Sequence, residues 1–124
     1  MTSEVKKKVL IIEDNLISST ALEMMVISNG FESAGRFDSA DNLSGICKEN
    51  KPDLILLDIM LAGELNGLEA ARELRKEMDT PILFITALSD SDSTKAIKAI
   101  KNSAATFKPY IEDSILTKIQ DMLK

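Results

Sequence analysis

The stretch PDLILLDIML, residues 52–61, decides the fold class of this chain. Its core, Leu54–Leu57, is a short, uninterrupted apolar run of the kind found in strands buried on both faces of a parallel sheet. We therefore predict a central strand there. Four further strands are predicted, at Val9–Ile12, Phe31–Phe37, Ile82–Ile85 and Ala104–Phe107. Charged residues interrupt the strand at Phe31–Phe37, which is therefore expected near an edge of the sheet.

Longer segments with apolar residues at helical spacing separate these strands. We predict five helices, over Asn15–Asn29, Ser39 to about Asn50, Gly67–Met78, Asp90 or Ser91 to about Ile100, and Tyr110 onward. Ser39 is expected to cap the second helix. Ile17 is expected to face the core, and Ile111 to begin the apolar stripe of the last helix. The alternation indicates an α/β fold, a single doubly wound sandwich of five βα units around a five-stranded parallel sheet.

The composition of the chain excludes several classes of functional site. The chain has 124 residues, a formal net charge of −5 at pH 7, no His and a single Cys. We expect one domain over residues 1–124 with no output domain. The absence of His removes His-based metal sites and bases, and a single Cys excludes an internal disulfide. The acidic balance disfavours direct nucleic-acid binding, no apolar run is long enough for a membrane span, and we expect a cytoplasmic protein.

Polar side chains follow four of the five predicted strands. Glu13 and Asp14 follow the first strand, Asp58 the third, Thr86 the fourth and Lys108 the fifth. Ligands of parallel sheets bind outside the carboxyl ends of the strands, so these side chains are expected to meet at one rim. Carboxylates about 4–5 Å apart repel by roughly 3–4 kcal/mol, so a cation is expected among them. Oxygen ligands favour Mg²⁺, with Mn²⁺ as the alternative, and a metal-bound carboxylate that faces Lys108 suits phosphoryl transfer.

Five segments, which together span essentially the whole chain, resemble the receiver domain of two-component response regulators. They are VLIIEDN (9–15), PDLILLDIML (52–61), NGLEAARELR (66–75), TPILFITA (80–87) and FKPY (107–110). The resemblance implies a flavodoxin-like sheet in the order 2-1-3-4-5, a cis Lys108–Pro109 peptide, and a phosphorelay signalling module rather than an enzyme. The loop Leu61–Gly67 lacks the usual proline and is one residue longer, as in receivers associated with multidomain sensor kinases.

The resemblance also implies a role for each site residue. Asp58 would accept the phosphoryl group. The metal ligands would be Glu13, Asp14, Asp58 and the backbone carbonyl of Met60, and the phosphoryl oxygens would be held by Thr86, the backbone N–H of Ala87 and Lys108. The implied donor is a histidine kinase or a histidine phosphotransfer protein. A downstream effector, or a second copy in a phosphorylation-dependent homodimer, would dock on the fourth helix, fifth strand and fifth helix, where Lys95, Lys98 and Lys101 form a basic stripe.

Three positions depart from the family pattern. Ala105 replaces the usual aromatic switch residue, so we expect a shift of the loop Leu88–Asp92 to carry the signal instead. Met60 and Leu88 are apolar where the family tunes the attack of water on the phosphorylated form, so we expect slow self-dephosphorylation.

Three other functions compete with the phosphoacceptor. A degenerate receiver would dock without phosphorylation, and Ala105 keeps that alternative open. A haloacid-dehalogenase-like phosphatase needs a second acid where this chain has Met60. A flavodoxin-like carrier needs a phosphate loop rich in Ser, Thr and Gly after the first strand, but EDNLISST (13–20) has no glycine and begins with two acids.

Overall fold

The computed structural model describes residues 5–61, 66–87 and 90–124. The strands are β1 (Lys8–Ile12), β2 (Glu32–Phe37), β3 (Leu54–Asp58), β4 (Ile82–Thr86) and β5 (Ser103–Phe107). The helices are α1 (Leu16–Ser28), α2 (Leu43–Asn50), α3 (Gly67–Arg75), α4 (Ser91–Lys98) and α5 (Glu112–Met122). Strands and helices alternate along the chain, as the apolar pattern predicts.

The five strands form one parallel sheet in the order β2-β1-β3-β4-β5. The predicted fold class is therefore confirmed, including β3 at the centre and β2 at an edge. α1 and α5 pack on one face of the sheet through apolar side chains such as Val26 and Ile119. α2, α3 and α4 pack on the other face, through residues such as Leu43, Leu74 and Ile97. No helix in the described ranges is both long enough and apolar enough to cross a membrane.

The start of α2 differs from the prediction. Ser39 does not cap the helix, because its hydroxyl accepts the backbone N–H of Asp41 at 3.1 Å and closes a local turn instead. The helix begins at Leu43, after Asn42, whose left-handed backbone (φ 59°) asparagine tolerates better than most residues. A serine four residues before Leu43 suits a turn as well as a cap, so the pattern alone misplaced this boundary.

Two predicted core residues lie in solvent. Ile17 is 82% exposed and Ile111 is 73% exposed, so both predictions are wrong. α1 is apolar around most of its circumference, which removes the contrast that marks a buried face. Ile111 precedes α5 as its N-cap residue, so helical spacing does not apply to it. α3 also ends at Arg75, earlier than the predicted Met78.

Two predictions concern loops that are only partly described. Residues 62–65 of the loop Leu61–Gly67 and residues 88–89 of the loop Leu88–Asp92 lie outside the described residues. The predicted peptide between Lys108 and Pro109 is cis, as expected.

Candidate functional site

The carboxyl ends of the central strands place five polar residues at one rim of the sheet. Glu13 directly follows β1, Asp58 is the last residue of β3, and Thr86 is the last residue of β4. All three are buried, with relative exposures of 4%, 6% and 0%. Lys108 directly follows β5, and its backbone N–H donates to the carbonyl of Thr86 at 2.8 Å. The strand pairing therefore carries the side chains to the site.

Three carboxylates meet at this rim. Glu13, Asp14 and Asp58 each present an oxygen such that all three oxygens lie within 4.8 Å of one another. The Lys108 ammonium lies 2.9 Å from Asp58 Oδ2 and 3.4 Å from Glu13 Oε2. Three carboxylates thus share one ammonium, and two of them, Glu13 and Asp58, are buried.

Burial changes the ionisation of this cluster. It raises the pKa of the Glu13 carboxyl from its usual 4.5 to about 7, with a further rise from the neighbouring Asp58 and an opposing effect of Lys108. Burial alone would lower the pKa of the Lys108 ammonium. Its hydrogen bond and attraction to Asp58, together with its attraction to Glu13, outweigh burial and leave that pKa raised. Lys108 is therefore charged at neutral pH, and Glu13 is partly protonated in the metal-free protein.

Backbone groups fix the direction of the carboxylates. Asp58 Oδ1 accepts the N–H of Met60 at 3.1 Å, and Glu13 Oε1 accepts the N–H of Asn15 at 3.3 Å. Each carboxylate is therefore held between a backbone donor on one oxygen and Lys108 on the other.

The donor set fits a hard divalent cation. The clustered side chains are carboxylates only, and carboxylate oxygens are the ligands that Mg²⁺ and Mn²⁺ prefer. Asp14 is exposed, which gives solvent and an ion access to the cluster. Met60 follows Asp58 by two residues, and Ala87 lies exposed directly after Thr86. Every residue predicted for the site therefore lies at or beside this rim.

The sequence interpretation treated Gly67 only as the start of a helix, and the structure gives it a further part. A Cβ on Gly67 would clash with the carbonyl oxygen of Asp58 and would lie 2.8 Å from Ile59 Cα. Its N–H donates to the Ile59 carbonyl at 2.8 Å. Glycine therefore allows the start of α3 to pack directly against the backbone that carries Asp58. The Asn66-Gly67 pair, a helix cap followed by glycine, is the sequence signal that could have indicated this contact.

The fold and the rim define a doubly wound α/β protein with an acidic site at the carboxyl edge of its sheet. A family profile described as the response regulator receiver domain matches residues 9–120. The chain belongs to this family. Receiver domains bind Mg²⁺ at an acidic pocket and act in two-component signalling, in agreement with the cluster of Glu13, Asp14 and Asp58.

Individual relatives agree with this assignment. The "DNA-binding response regulator MtrA" of Mycobacterium tuberculosis is 26% identical over 121 residues, which cover 96% of this chain and 51% of MtrA. The "Probable transcriptional regulator ycf27" of Porphyridium aerugineum is 31% identical over 119 residues, 96% of this chain and 49% of that protein. The chain thus spans about half the length of these relatives.

A solved structure supports the fold at the level of backbone geometry. The signal receiver domain of a modulated diguanylate cyclase from Desulfovibrio desulfuricans superposes with a TM-score of 0.85 at 29% identity. The match covers 96% of this chain and 94% of that one. The arrangement of five strands and five helices is therefore the receiver fold.

Proposed function

We propose that this chain is a phosphoacceptor, which receives a phosphoryl group on Asp58 from a phosphorylated histidine of a kinase or phosphotransfer protein. The observation that carries the proposal is the contact of 2.9 Å between Lys108 Nζ and Asp58 Oδ2, inside a cluster of three carboxylates. An ammonium beside the nucleophile neutralises charge that accumulates when a phosphoryl group arrives. The whole of residues 1–124 is proposed to act as one receiver domain.

In the proposed reaction an Asp58 carboxylate oxygen attacks phosphorus. The new P–O bond forms as the P–N bond to the donor histidine breaks, and the electron pair of that bond returns to the imidazole. Thr86, the backbone N–H of Ala87 and Lys108 are proposed to hold the phosphoryl oxygens. Thr86 ends the strand beside β3, so its side chain is fixed by the sheet rather than by a loop.

Glu13, Asp14, Asp58 and the backbone carbonyl of Met60 are proposed to hold Mg²⁺, or Mn²⁺ in its place. When bound, the ion would supply positive charge that offsets the charge of these carboxylates and of the incoming phosphoryl group. The raised pKa of Glu13 predicts that ion binding releases a proton near neutral pH, since ligands must be deprotonated.

The proposed partners are a phosphodonor protein at the rim and a downstream effector at α4, β5 and α5, with the cytoplasm as the proposed location. Lys95, Lys98 and Lys101 all lie exposed on or just after α4 and offer this effector a basic surface. A second receiver joined at the same face in a phosphorylation-dependent homodimer is included in this proposal. Direct contact of this chain with nucleic acid is not part of the proposal, because the chain is acidic.

The proposal is tested by incubation with Mg²⁺ and acetyl phosphate, followed by intact-mass measurement. We expect a gain of one phosphoryl group that is abolished in Asp58→Asn and by chelation of the metal. Asp121→Asn removes an exposed acid near the end of α5, away from the rim, and should leave the gain intact. No gain in a folded, Mg²⁺-binding sample would refute phosphoryl acceptance and would favour the phosphorylation-independent docking module.

We further propose that the phosphorylated form is long-lived. Met60 stands exposed two residues after Asp58, and its thioether cannot orient a water molecule as an amide can. Met60→Asn should therefore hydrolyse faster than the unmodified chain when loss of the phosphoryl group is followed by mass. Equal or slower loss in the variant would refute this expectation.

A further inference from the structure

A cleft at the amino edge of the sheet gathers three cations around one acid. It has a volume of about 560 Å³ and is lined by Arg72, Arg75, Asp79, Ala99, Ile100 and Lys101. We call it the α3–α4 cleft, because both helices end beside it. It lies at the opposite end of the parallel sheet from Glu13 and Asp58. Its three cations and one acid leave a net charge of +2 in a chain whose net charge is −5, which indicates a surface suited to an anion.

Backbone carbonyls hold the Arg75 side chain in place. Its Nε and Nη2 donate to the carbonyls of Lys101 at 2.8 Å and Asn102 at 3.0 Å, and its Nη1 donates to the carbonyl of Met78 at 3.3 Å. A guanidinium has five N–H groups, so these three bonds leave two without an acceptor in the part of the chain that the structure describes. Because the side chain is already fixed and only 13% exposed, it would lose little conformational freedom when a ligand binds.

The side chains of the other two cations, Arg72 and Lys101, take no part in these bonds. Both are exposed, and neither forms an ion pair with another described residue. The one acid of the cleft, Asp79, lies 3.7 Å from Arg75 Nε, and its side chain is 78% exposed. A cation at the carboxyl end of a helix is favourable by itself. Here, however, cations from two helix ends share one cleft, and their mutual repulsion favours a bound anion.

We propose that the α3–α4 cleft binds the phosphate group of a small molecule. The planar fork of Arg75 matches phosphate oxygens, and Arg72 and Lys101 add charge from its exposed side. A phosphate monoester carries a charge of about −2 at neutral pH and so balances the cleft better than a single carboxylate does. The volume lies in the range of small-molecule sites, and Ala99 and Ile100 give the cleft an apolar wall for the rest of the ligand. The site is separate from phosphoryl acceptance at Asp58 and does not depend on it.

An NMR titration of the ¹⁵N-labelled full chain tests the binding and locates it. The probes are inorganic phosphate, adenosine monophosphate and adenosine, each added to the millimolar range in the presence of chelator. We expect the first two to shift backbone amides in residues 72–79 and 99–102, whereas adenosine should not. Tighter binding of adenosine monophosphate than of inorganic phosphate would identify an esterified phosphate as the ligand, and equal binding would identify free phosphate. Either result supports recognition of phosphate by the cleft.

Single substitutions test the role of each charge in the cleft. Arg72→Gln and Lys101→Gln should each weaken the binding of adenosine monophosphate by about fivefold, because each removes one partly exposed charge contact. Asp79→Asn should strengthen the binding by about two- to fivefold, because it removes the acid that repels the phosphate. Lys118→Gln is the matched control, since it removes the same charge from α5 on the other face of the sheet, and it should leave the binding unchanged. Circular dichroism checks that each variant is folded.

Three results would overturn the proposal. They are the absence of shifts around the cleft with either phosphate probe, binding that neither Arg72→Gln nor Lys101→Gln weakens, and binding of adenosine as tight as that of adenosine monophosphate. A tetraglutamate peptide is a further probe. If it binds the cleft as tightly as adenosine monophosphate, the cleft recognises the carboxylates of an acidic protein segment, and recognition of phosphate is wrong. None of these measurements requires phosphorylation of Asp58, so failure of the phosphoacceptor is not mistaken for failure of the cleft.

Discussion

Replacing Glu13 by glutamine should stabilise the metal-free protein above neutral pH. In the folded protein the pKa of this buried carboxyl is raised to about 7, whereas in the unfolded chain it returns to its usual 4.5. Between these values the folded state holds a proton that the unfolded state has lost, so the free energy of unfolding falls as pH rises through this window. Above pH 7, the raised pKa of Glu13 therefore lowers the free energy of unfolding by roughly 3 kcal/mol.

Glutamine preserves the shape and the acceptor oxygen of Glu13 without its charge. It can keep the N–H bond from Asn15, but it gives up the ionic part of the contact of 3.4 Å to Lys108. The raised pKa of Glu13 already takes this attraction to Lys108 into account, because it is the net result of burial and Asp58, which raise the pKa, and of Lys108, which lowers it. We therefore expect Glu13→Gln to gain about 1–3 kcal/mol at pH 8 in the presence of chelator, and almost nothing near pH 4.5.

Urea unfolding followed by far-UV circular dichroism measures this difference, since the chain has no Trp for a fluorescence assay. Glu49→Gln makes the same change of charge at an exposed position on α2 and should shift the free energy of unfolding by no more than about 0.5 kcal/mol. Added Mg²⁺ should stabilise the unmodified protein more than Glu13→Gln. A variant that is less stable than the unmodified protein at pH 8 in chelator would refute the reasoning.

Three further outcomes follow from the structure. Gly67→Ala should lower the free energy of unfolding by about 1–3 kcal/mol, because the added methyl group overlaps the carbonyl of Asp58; unchanged stability in urea would contradict this. Asn66→Ala removes the side-chain acceptor of the Glu69 N–H (2.9 Å) at the start of α3 and should cost about 1 kcal/mol in the same assay. Burial raises the pKa of the Cys47 thiol to about 11, so iodoacetamide at pH 8 should label the folded protein roughly a hundredfold more slowly than the urea-unfolded chain; similar rates would show that the thiol is accessible.

The positions of the site residues could be predicted because each stands at the end of a predicted strand. Leu54–Leu57 is apolar without interruption, so the next residue, Asp58, had to stand at the end of the strand. The same argument places Glu13 after β1 and Lys108 after β5. The order of the strands could not be predicted in this way, because the apolar pattern does not show which strands are neighbours in the sheet. That order came from the resemblance to receiver domains, and the structure confirms it.

The helix faces were harder to predict, for a reason that α1 makes clear. Its buried side includes Ser19, which is 4% exposed and accepts an N–H of Arg36 at 3.3 Å, while its outer side carries Ile17. Ser19 is polar but buried, and Ile17 is apolar but exposed, which is the reverse of the usual distribution on an amphipathic helix. Local spacing cannot detect that a guanidinium from β2 will meet the serine, because the two are separated by 17 positions in the chain.

The balance of charge at the rim predicts two opposite effects when one carboxylate charge is removed. The stability of the metal-free protein should rise, and the stabilisation by added Mg²⁺ should fall. Three carboxylates face Lys108, so one ammonium leaves part of their mutual repulsion in place. The buried acids cannot turn away, because Glu13 and Asp58 are fixed at the ends of buried strands and held by backbone donors. Removing one charge should therefore stabilise the metal-free state and weaken the response to Mg²⁺. Acids that served only as helix caps or turn residues would instead lose stability in both states on removal. The sign of the change in chelator thus separates a cation site from a set of structural carboxylates.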